Sequence, residues 1–420
     1  MSLNTTPQGD RVQIAIYGRR NAGKSSVINA ITGQDIAIVS DVKGTTTDPV
    51  SKAMEILPIG PCKFIDTPGL DDEGERGAKR VEKAMQVLNK TDIAIVVIDI
   101  SSLTDEDVEN GRGIPDKELD IISVVEEKKI PYIIVLNKED LIDDIKAETL
   151  RNKIVEKNPT IPVNVVSTTD KTGLEELKDA LISQAPDTDL KLHIIGDLVE
   201  KNDIVVLVVP VDSAAPKGRL IMPQQQVIRD LLDNQAVAVV TQVPELADTL
   251  KKLEGSVKMV VTDSQAFGEV SAIVPESIPL TSFSILFARH KGNLVKLVEG
   301  VKAVDKLKDG DKVLIAEGCT HRRQCDDIGT VKIPRWLSEH SGKKLQIETC
   351  SGTQFPADLS SYALVIHCGG CTLHEKEMKH RIYRAEKQGV PIVNYGIFIS
   401  YIKGILKRSI EMFDEVNLND

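Results

Sequence analysis

The chain has 420 residues, of which 41% are hydrophobic and 27% charged, with 28 glycines and 19 prolines. This globular composition excludes a collagen, a coiled coil or a wholly disordered chain, and the length predicts about two to four domains. The net charge of −11 disfavours a protein held on nucleic acid by its overall field.

The apolar residues predict neither a membrane span nor a secretory signal. The longest apolar runs, such as 93–98 and 204–209, have the length of a strand, whereas a bilayer span needs roughly 20 residues. The first residues lack the apolar stretch of a secretory signal. We therefore expect a cytoplasmic protein that does not contact a membrane.

The first domain is expected at residues 1–185, where predicted strands and helices alternate. The predicted strands are 12–17, 52–57, 63–65, 93–98, 132–136 and 162–166. The predicted helices are 24–31, 77–89, 118–127 and 173–184. The strands 52–57 and 63–65 are close enough to form a hairpin. The alternation predicts an α/β fold with a mostly parallel sheet that helices cover on both faces.

Two further α/β domains are expected after a linker at 185–190. A small middle domain is predicted at 186–278, with strands 204–210, 236–240 and 258–261 and helices 224–234 and 245–253. A C-terminal, Rossmann-like domain is predicted at 279–420, with strands 312–316, 345–349, 362–366 and 392–394 and helices 373–387 and 398–407.

A phosphate-binding motif follows the first predicted strand. Gly18, Gly23, Lys24 and Ser25 fit the P-loop pattern GxxxxGKS, and Ser26 continues the motif into a predicted helix. The glycines allow backbone N–H groups to surround phosphates, and the helix N-terminus favours negative charge. Lys24 would reach the β- and γ-phosphates, and the Ser25 hydroxyl would bind Mg²⁺.

Two more motifs follow predicted strands and complete a GTPase pattern. Asp66 and Gly69 frame the sequence DTPG; the carboxylate would support Mg²⁺, and the glycine amide would contact the γ-phosphate. Asn137, Lys138 and Asp140 form NKED, in which a carboxylate can accept two hydrogen bonds that guanine donates and adenine does not. Asn137 would contact the other edge of the base, and Lys138 would pack over it.

A fourth and weaker element, Ser167, fits the loop that closes on the base. Such side chains at the carboxyl ends of parallel strands predict a P-loop GTPase domain. The sequence at the switch I position also resembles that of the TrmE–Era-like GTPases. Residues 44–48 read GTTTD where that class has GTTRD. Thr46 is the best candidate for a second Mg²⁺ ligand, with Thr45 close behind.

The resemblance also bears on the mechanism of hydrolysis. Leu70 follows DTPG where Ras-like proteins carry a glutamine that orients water. In TrmE–Era-like relatives, the residue that corresponds to Asn21 helps to bind K⁺. The resemblance therefore implies a slow GTPase that K⁺ stimulates, although an asparagine in a tight loop is also ordinary turn chemistry.

Five of the six cysteines lie in the last quarter of the chain. Six cysteines in a chain of this length do not indicate a disulfide framework. The sequences CTH at 319–321 and HCGGC at 367–371 each follow a predicted strand, so their loops would open at one edge of a parallel sheet. Thiolates favour zinc or an iron–sulfur cluster. Zinc could take the three cysteines and one of the two histidines. A [4Fe-4S] cluster with three cysteines would leave one iron open to an exchangeable ligand.

The remaining cysteines and a basic run have plainer interpretations. Cys62 and Cys350 are expected in the hydrophobic core, as is Cys325. Lys376, with its basic neighbours at 379–381, is expected on a solvated helix face; the alternative is a docking site for an acidic partner.

GTPase motifs followed by CxH and HCxxC, with 45 residues between His321 and His367, resemble the [FeFe]-hydrogenase maturation GTPases, the HydF family, over the whole chain. The resemblance implies that Cys319, Cys368 and Cys371 ligate a [4Fe-4S] cluster, with His321 or His367 as a fourth ligand or as a supporting hydrogen-bond donor. It also implies that the middle domain dimerises and that the C-terminal domain binds the cluster.

The implied function is a GTPase and scaffold that assembles the two-iron subcluster of the hydrogenase and delivers it. The implied cofactors are GTP, Mg²⁺, K⁺, the [4Fe-4S] cluster and a transient two-iron subcluster precursor. The implied partners are apo-[FeFe]-hydrogenase, two radical-SAM maturases and a second copy of the chain in a homodimer or a larger oligomer. Nucleic acid is not expected.

The alternative is a GTPase of tRNA modification or ribosome assembly with a structural zinc module. Such a protein should carry a basic surface and aromatic residues for base stacking. The acidic net charge and an aromatic content of 3% weigh against it.

Overall fold

The computed structural model describes residues 6, 9–33, 50–69, 84–109, 111–186, 193–210, 220–318, 327–352 and 354–416. The chain divides into two units, Met1–Leu190 and Lys191–Asp420. Within the described ranges, each helix is too short or too polar to cross a membrane.

The first unit is built on a six-stranded sheet. In chain order its strands are β1 (Val12–Tyr17), β2 (Val50–Ile56), β3 (Gly60–Asp66), β4 (Ile93–Asp99), β5 (Tyr132–Asn137) and β6 (Val163–Val166). Their order in the sheet is β2-β3-β1-β4-β5-β6. The hairpin of β2 and β3 is antiparallel, and the other neighbours are parallel.

Helices pack on both faces of this sheet. They include α1 (Lys24–Thr32), α2 (Asp105–Glu109), α3 (Asp116–Glu127), α4 (Asp144–Lys157) and α5 (Leu174–Gln184). Strands β1 and β5 are buried along their whole length, as expected for central strands covered on both sides. Cys62 lies in this core, as predicted.

The second unit holds two four-stranded parallel sheets over one hydrophobic core. The first sheet has the order β10-β9-β7-β8, with β7 (Ile204–Val208), β8 (Val237–Thr241), β9 (Val257–Thr262) and β10 (Leu280–Ser282). The second has the order β12-β11-β13-β14, with β11 (Lys312–Glu317), β12 (Gln346–Ser351), β13 (Leu364–His367) and β14 (Ile392–Asn394).

The helices of the second unit connect these strands. They are α6 (Met222–Asp233), α7 (Leu246–Lys252), α8 (Phe267–Ile273), α9 (Phe283–Lys291), α10 (Leu294–Val301), α11 (Ile333–Ser341), α12 (Glu375–Lys387), α13 (Tyr395–Ile402) and α14 (Leu406–Ile410). Helix α9 starts directly after β10, and α13 starts directly after β14. Both helices therefore begin at the carboxyl ends of strands, and so does the loop that carries Cys368.

The predicted α/β fold is confirmed, with some corrections to its elements. The helix predicted at 398–407 is two helices, α13 and α14, because Gly404 takes a left-handed φ of 73° between them. Helix α9 was not predicted, because its sequence FSILFARHK is buried on most sides and shows no amphipathic period. Strand β10 pairs with β9 and begins two residues beyond the limit predicted for the middle domain. The three domain limits themselves remain a prediction.

Candidate functional site

The P-loop follows β1 and contains two glycines, in positions where the structure leaves no space for a Cβ atom. Gly18 has a φ of 147°, and a Cβ there would lie 2.3 Å from the carbonyl oxygen of Val97 on β4. Gly23 has a φ of 92°, and a Cβ there would lie 2.1 Å from the side-chain amide nitrogen of Asn137. The chain therefore turns tightly against β4 and β5 before α1 begins, which opens the loop for an anion.

Lys24 lies within this loop. It is buried, and its ammonium donates hydrogen bonds to the carbonyl oxygens of Gly18 at 3.0 Å and Arg19 at 2.7 Å. The neighbouring Ser25 and Ser26 are exposed on the first turn of α1. The lysine charge and two hydroxyls thus surround the N-terminus of a helix, where phosphate is favoured.

Ser25 and Asp66, which the sequence predicts to support Mg²⁺, lie in contact. The hydroxyl of Ser25 donates to one carboxylate oxygen of Asp66 at 2.5 Å. The other oxygen, Oδ1, is buried and has no hydrogen-bond partner among the described residues. Burial raises the pKa of Asp66. An orphaned carboxylate oxygen beside a hydroxyl fits Mg²⁺, which prefers oxygen ligands.

The residues predicted to recognise the base lie at the end of β5. Asn137 is buried and donates to the carbonyl oxygen of Ala22 in the P-loop at 2.9 Å. Its carbonyl oxygen has no partner within the described chain. Asp140 is exposed, and one of its carboxylate oxygens accepts a hydrogen bond from the Ser167 hydroxyl at 2.9 Å. The structure therefore joins the P-loop, the NKED segment and Ser167 in one site.

Lys138, which the sequence predicts to pack over the base, is held by Asp99 at the end of β4. It has a left-handed φ of 71°, and its ammonium pairs with the Asp99 carboxylate at 2.5 Å. Burial opposes ionisation of Asp99, but hydrogen bonds from Lys138 and Ser101 lower its pKa on balance. Sequence reasoning missed Asp99, because an aspartate at the end of a strand carries no motif.

The structure describes some of the other residues predicted at the nucleotide site and not the rest. Asn21 is exposed and takes a left-handed φ of 64° in the P-loop. Gly69 follows β3 and is described, whereas Thr46 and Leu70 lie outside the described residues.

Cys368 lies at the carboxyl edge of the β12-β11-β13-β14 sheet, in contact with the last described residue before Cys319. Cys368 follows β13 directly, and its sulfur accepts hydrogen bonds from the backbone N–H groups of Gly318 at 3.0 Å and Gly370 at 3.4 Å. Gly318 immediately precedes Cys319, which lies outside the described residues together with His321. The Thr372 hydroxyl also donates to the Gly318 carbonyl oxygen at 3.3 Å. The described ends of both loops therefore touch.

His367 uses both ring nitrogens within the protein. Nε2 accepts a hydrogen bond from the guanidinium of Arg381 at 3.1 Å, and Nδ1 donates to the Cys368 carbonyl oxygen at 2.7 Å. An arginine only donates, so this pairing fixes the neutral tautomer with the proton on Nδ1. Complete burial, and then the Arg381 charge, lower the pKa of His367 to about 3.

Two buried cations support the cysteine loop, and sequence reasoning missed both. Lys291, the last residue of α9, donates to the carbonyl oxygens of Cys371 and Leu373, both at 3.0 Å. Arg381 was predicted on a solvated face, but it is buried because α12 turns that face onto His367, the Gly352 carbonyl and the Phe355 ring. A buried arginine on a polar helix leaves no signal in one sequence.

The chemistry of the described donors fits an iron–sulfur cluster. A sulfur that accepts two backbone N–H bonds is an environment that favours the thiolate. Cys371 lies three residues on, past Gly369 and Gly370, and Gly370 takes a left-handed φ of 65° that lets the backbone turn between the two cysteines. In the described part of the chain, no three His, Cys, Asp or Glu side chains form a metal-binding group by themselves. Cys350 is buried in β12, as predicted.

Comparison with known families shows which domains the second unit contains. Residues 194–292 match the hydrogen maturase F dimerization domain, and residues 295–412 match the hydrogen maturase F tetramerization domain. Together the two matches cover more than half of the chain. The chain belongs to the hydrogen maturase F family. Residues 13–138 match the 50S ribosome-binding GTPase family, which confirms the predicted GTPase domain and its place in a hydrogen maturase F chain.

Curated relatives of this family member are GTPases. GTPase Der of Kosmotoga olearia is 34% identical over 220 residues, which are 50% of this chain and 46% of Der. The tRNA modification GTPase MnmE of Clostridioides difficile is 34% identical over 174 residues, 41% of this chain and 34% of MnmE. This chain thus spans less than half the length of either relative.

Among solved structures, the chain is similar to a point variant of Aquifex aeolicus Era bound to GDP and AlF4⁻. The identity is 20% and the TM-score 0.35, over 58% of this chain and 98% of Era.

Proposed function

We propose that the protein hydrolyses GTP in its first unit and holds a [4Fe-4S] cluster in its second. In this proposal it is the scaffold and carrier that assembles the two-iron subcluster and delivers it to apo-[FeFe]-hydrogenase. The observation that carries the proposal is the contact between Gly318 and the Cys368 sulfur, within a region that matches a hydrogen maturase F domain.

In the proposed GTP site, each group of residues has one role. Backbone amides of the P-loop and Lys24 hold the phosphates, Ser25 and Asp66 hold Mg²⁺, and Asp140 selects guanine. Thr46 is the proposed second Mg²⁺ ligand, and the Gly69 amide contacts the γ-phosphate. Because Leu70 replaces a glutamine, we assign stabilisation of the transition-state charge to a K⁺ ion that Asn21 helps to bind.

The proposed cluster site takes its thiolates from Cys319, Cys368 and Cys371. Because both nitrogens of His367 are engaged, we assign this histidine to support of the Cys368 backbone. The fourth iron is then open to His321 or to an exchangeable ligand. When bound, a cluster with such an iron supplies a site where a guest group attaches and leaves; the two-iron precursor is the proposed guest.

We also propose a homodimer or larger oligomer, with a dimerisation domain at 186–278 and a cluster-binding domain at 279–420. Edge strand β8 supports this assignment, because it exposes Val237 by 44% and Val240 by 48%. An open edge with exposed valines is a template for pairing with another chain. Val240→Lys should lower the mass measured by light scattering, whereas Ile145→Lys on α4 of the first unit, which replaces a side chain that is 80% exposed, should not.

The competing function is a GTPase of tRNA modification or ribosome assembly with structural zinc. The MnmE and Der similarities favour it for the GTPase unit alone, since the second unit matches hydrogen maturase F domains. We therefore keep it as the second candidate.

The deciding experiment is anaerobic reconstitution with iron and sulfide. We expect a brown protein that absorbs near 400 nm and gives an EPR signal when reduced. Cys368→Ser should lose this iron, and Cys350→Ala, a buried cysteine of the same unit, should keep it. Loaded wild-type protein from cells with both radical-SAM maturases should activate apo-hydrogenase. Tight zinc and co-purifying RNA, with no iron cluster, would favour the competing function.

A further inference from the structure

Asp99 lies at the carboxyl edge of the sheet of the first unit, beside the residues predicted to recognise the base. It is the last residue of β4, and in the parallel register it pairs with Asn137, the last residue of β5. Lys138 comes next in the chain, and its left-handed φ of 71° turns the backbone at that point. Asp99 is therefore the neighbour across the sheet of the NKED segment, although it belongs to no motif.

Both oxygens of the Asp99 carboxylate are engaged. Oδ1 accepts hydrogen bonds from the backbone N–H of Ser101 at 3.0 Å and from the Ser101 hydroxyl at 2.6 Å. Oδ2 accepts from the Lys138 ammonium at 2.5 Å. The short helical turn Ile100–Ser102 that follows β4 thus fixes one oxygen, and this leaves the other oxygen facing the lysine.

The ion pair between Asp99 and Lys138 is largely shielded from solvent. The Lys138 side chain is 28% exposed and the Asp99 side chain 20%. Burial opposes ionisation of Asp99, but hydrogen bonds from Lys138 and Ser101 lower its pKa on balance. The carboxylate is therefore charged at neutral pH. Because salt screens a partly buried pair much less than a surface pair, the ammonium is held in one place.

A lysine that is held by its ammonium can act through its apolar stem. Lys138 lies between Asn137 and Asp140, which are predicted to bind the two edges of the base, so the flat face of the ring is left to Lys138. Lysine stems cover apolar surface while the charged end keeps polar contacts. Ordering such a flexible side chain during binding lowers affinity. A side chain that is already ordered in the folded protein avoids this loss.

We propose that Asp99 is a positioning residue for the base, which holds Lys138 so that the lysine stem covers the face of the guanine ring. This inference rests on the proposed GTP site and deepens it. Asp99 then contributes to the affinity for nucleotides that carry a base. It does not contribute to the choice between related bases, which Asp140 makes. If Asp99 only capped the turn at Ile100–Ser102, it would serve the fold alone.

The test is to replace Asp99 by a neutral residue that still caps the turn. Asparagine caps as well as aspartate. In Asp99→Asn the amide oxygen must accept from Ser101, so the amide nitrogen faces the Lys138 ammonium, and two donors cannot pair. GTP should bind about 2-fold to 10-fold more weakly. In hydrolysis, KM should rise by the same factor while kcat stays unchanged.

Two further probes separate the base from the phosphates. Inosine triphosphate keeps the ring and lacks only the 2-amino group, so its affinity should fall by the same factor as that of GTP. Inorganic triphosphate has no base and should bind equally well to the wild-type protein and to Asp99→Asn. A general weakening of the fold would lower its affinity too.

Three more variants complete the design. Lys138→Met keeps an apolar stem and removes the charge. In that background Asp99→Asn should have no further effect, because residues that act as a pair are not additive. Asp99→Ser also caps the turn and repeats the test if asparagine is not tolerated. Glu109→Gln is the matched control and should change no affinity, since it removes a carboxylate that pairs with Lys153 at 3.9 Å on the surface of the same unit.

Three outcomes would overturn the positioning role. One is unchanged GTP affinity in the neutral variants of Asp99, and another is an equal loss for GTP and inorganic triphosphate. The third is a full additional loss when Asp99→Asn is combined with Lys138→Met. Each of these leaves the GTP site standing, whereas wild-type protein that binds no GTP would remove the proposed GTP site together with this inference.

Discussion

The nucleotide site and the cysteine site both occupy the carboxyl edge of a parallel sheet, yet they are built differently. Phosphate is surrounded by consecutive backbone amides, so the P-loop is one short segment in which Gly18 and Gly23 set the geometry. The cysteine site draws side chains from strand β13, from the loop after it and from two helices, among them Cys368, Lys291 and Arg381. A site built from consecutive backbone amides therefore has a recognisable sequence motif. The residues of a site built from side chains are instead dispersed over the sequence.

The largest expected effect separates the two sites completely. Lys24→Ala should lower the rate of GTP hydrolysis about 100-fold to 1000-fold, because it removes the cation at the phosphates. The same variant should take up as much iron as wild-type protein. Cys368→Ser should lose the cluster, because a hydroxyl offers iron no soft anionic ligand, and should hydrolyse GTP at the wild-type rate.

Both quantities are measured on each variant, as phosphate release and as iron per chain. Loss of iron in Lys24→Ala, or loss of hydrolysis in Cys368→Ser, would mean that the two sites depend on each other and would break the comparison.

The next largest effect is expected on base recognition. Backbone amides surround the phosphates, but a side chain controls recognition of the base. Asp140→Asn should weaken GTP binding by about 1–3 kcal/mol, because one carboxylate acceptor becomes a donor. Xanthosine triphosphate should then compete better, since it offers an acceptor at that position. Asp143→Asn is the matched control, because Asp143 only caps α4 through the Lys146 amide at 2.9 Å and asparagine caps equally well.

Competition binding with the two nucleotides gives the readout. Unaltered preference for GTP in Asp140→Asn would remove this carboxylate from the base site.

A smaller effect is expected from the monovalent cation. Hydrolysis should be faster in KCl than in NaCl at equal ionic strength, because the proposed ion site at Asn21 selects by size. Asn21→Gly keeps the left-handed backbone, which glycine adopts freely, and should abolish the difference between the salts. Equal initial rates in the two salts for wild-type protein would contradict the potassium assignment while leaving GTP hydrolysis intact.

The two sites also differ in how much of them a single sequence predicts. The strands β1, β4 and β5 and the residues that follow them were predicted closely, because contiguous apolar runs end in recognisable motifs. The sequence also predicted that the loops of Cys319 and Cys368 approach each other, since both follow parallel strands. It did not predict the buried positions of Lys291 and Arg381, because they depend on how α9 and α12 pack.

The smallest effect on iron content is expected at His367, where the sequence left two roles open. Nδ1–H donates to the Cys368 carbonyl oxygen, and Nε2 accepts from Arg381. His367→Ala leaves both groups without a partner in a buried setting, so the free energy of unfolding should fall by about 1–3 kcal/mol. His340→Ala, which removes an exposed histidine paired with Asp305, should cost less.

Iron content is the measurement that separates a supporting histidine from a ligand. If His367 positions the backbone, the alanine variant should bind a full complement of iron at low temperature, with an altered EPR spectrum because the Cys368 peptide is less restrained. If His367 is instead the fourth ligand, loaded wild-type protein should show a directly coupled imidazole nitrogen by pulsed EPR, and the alanine variant should lose it. The structure favours the first result, since a nitrogen whose lone pair accepts a hydrogen bond from Arg381 has no lone pair left for iron.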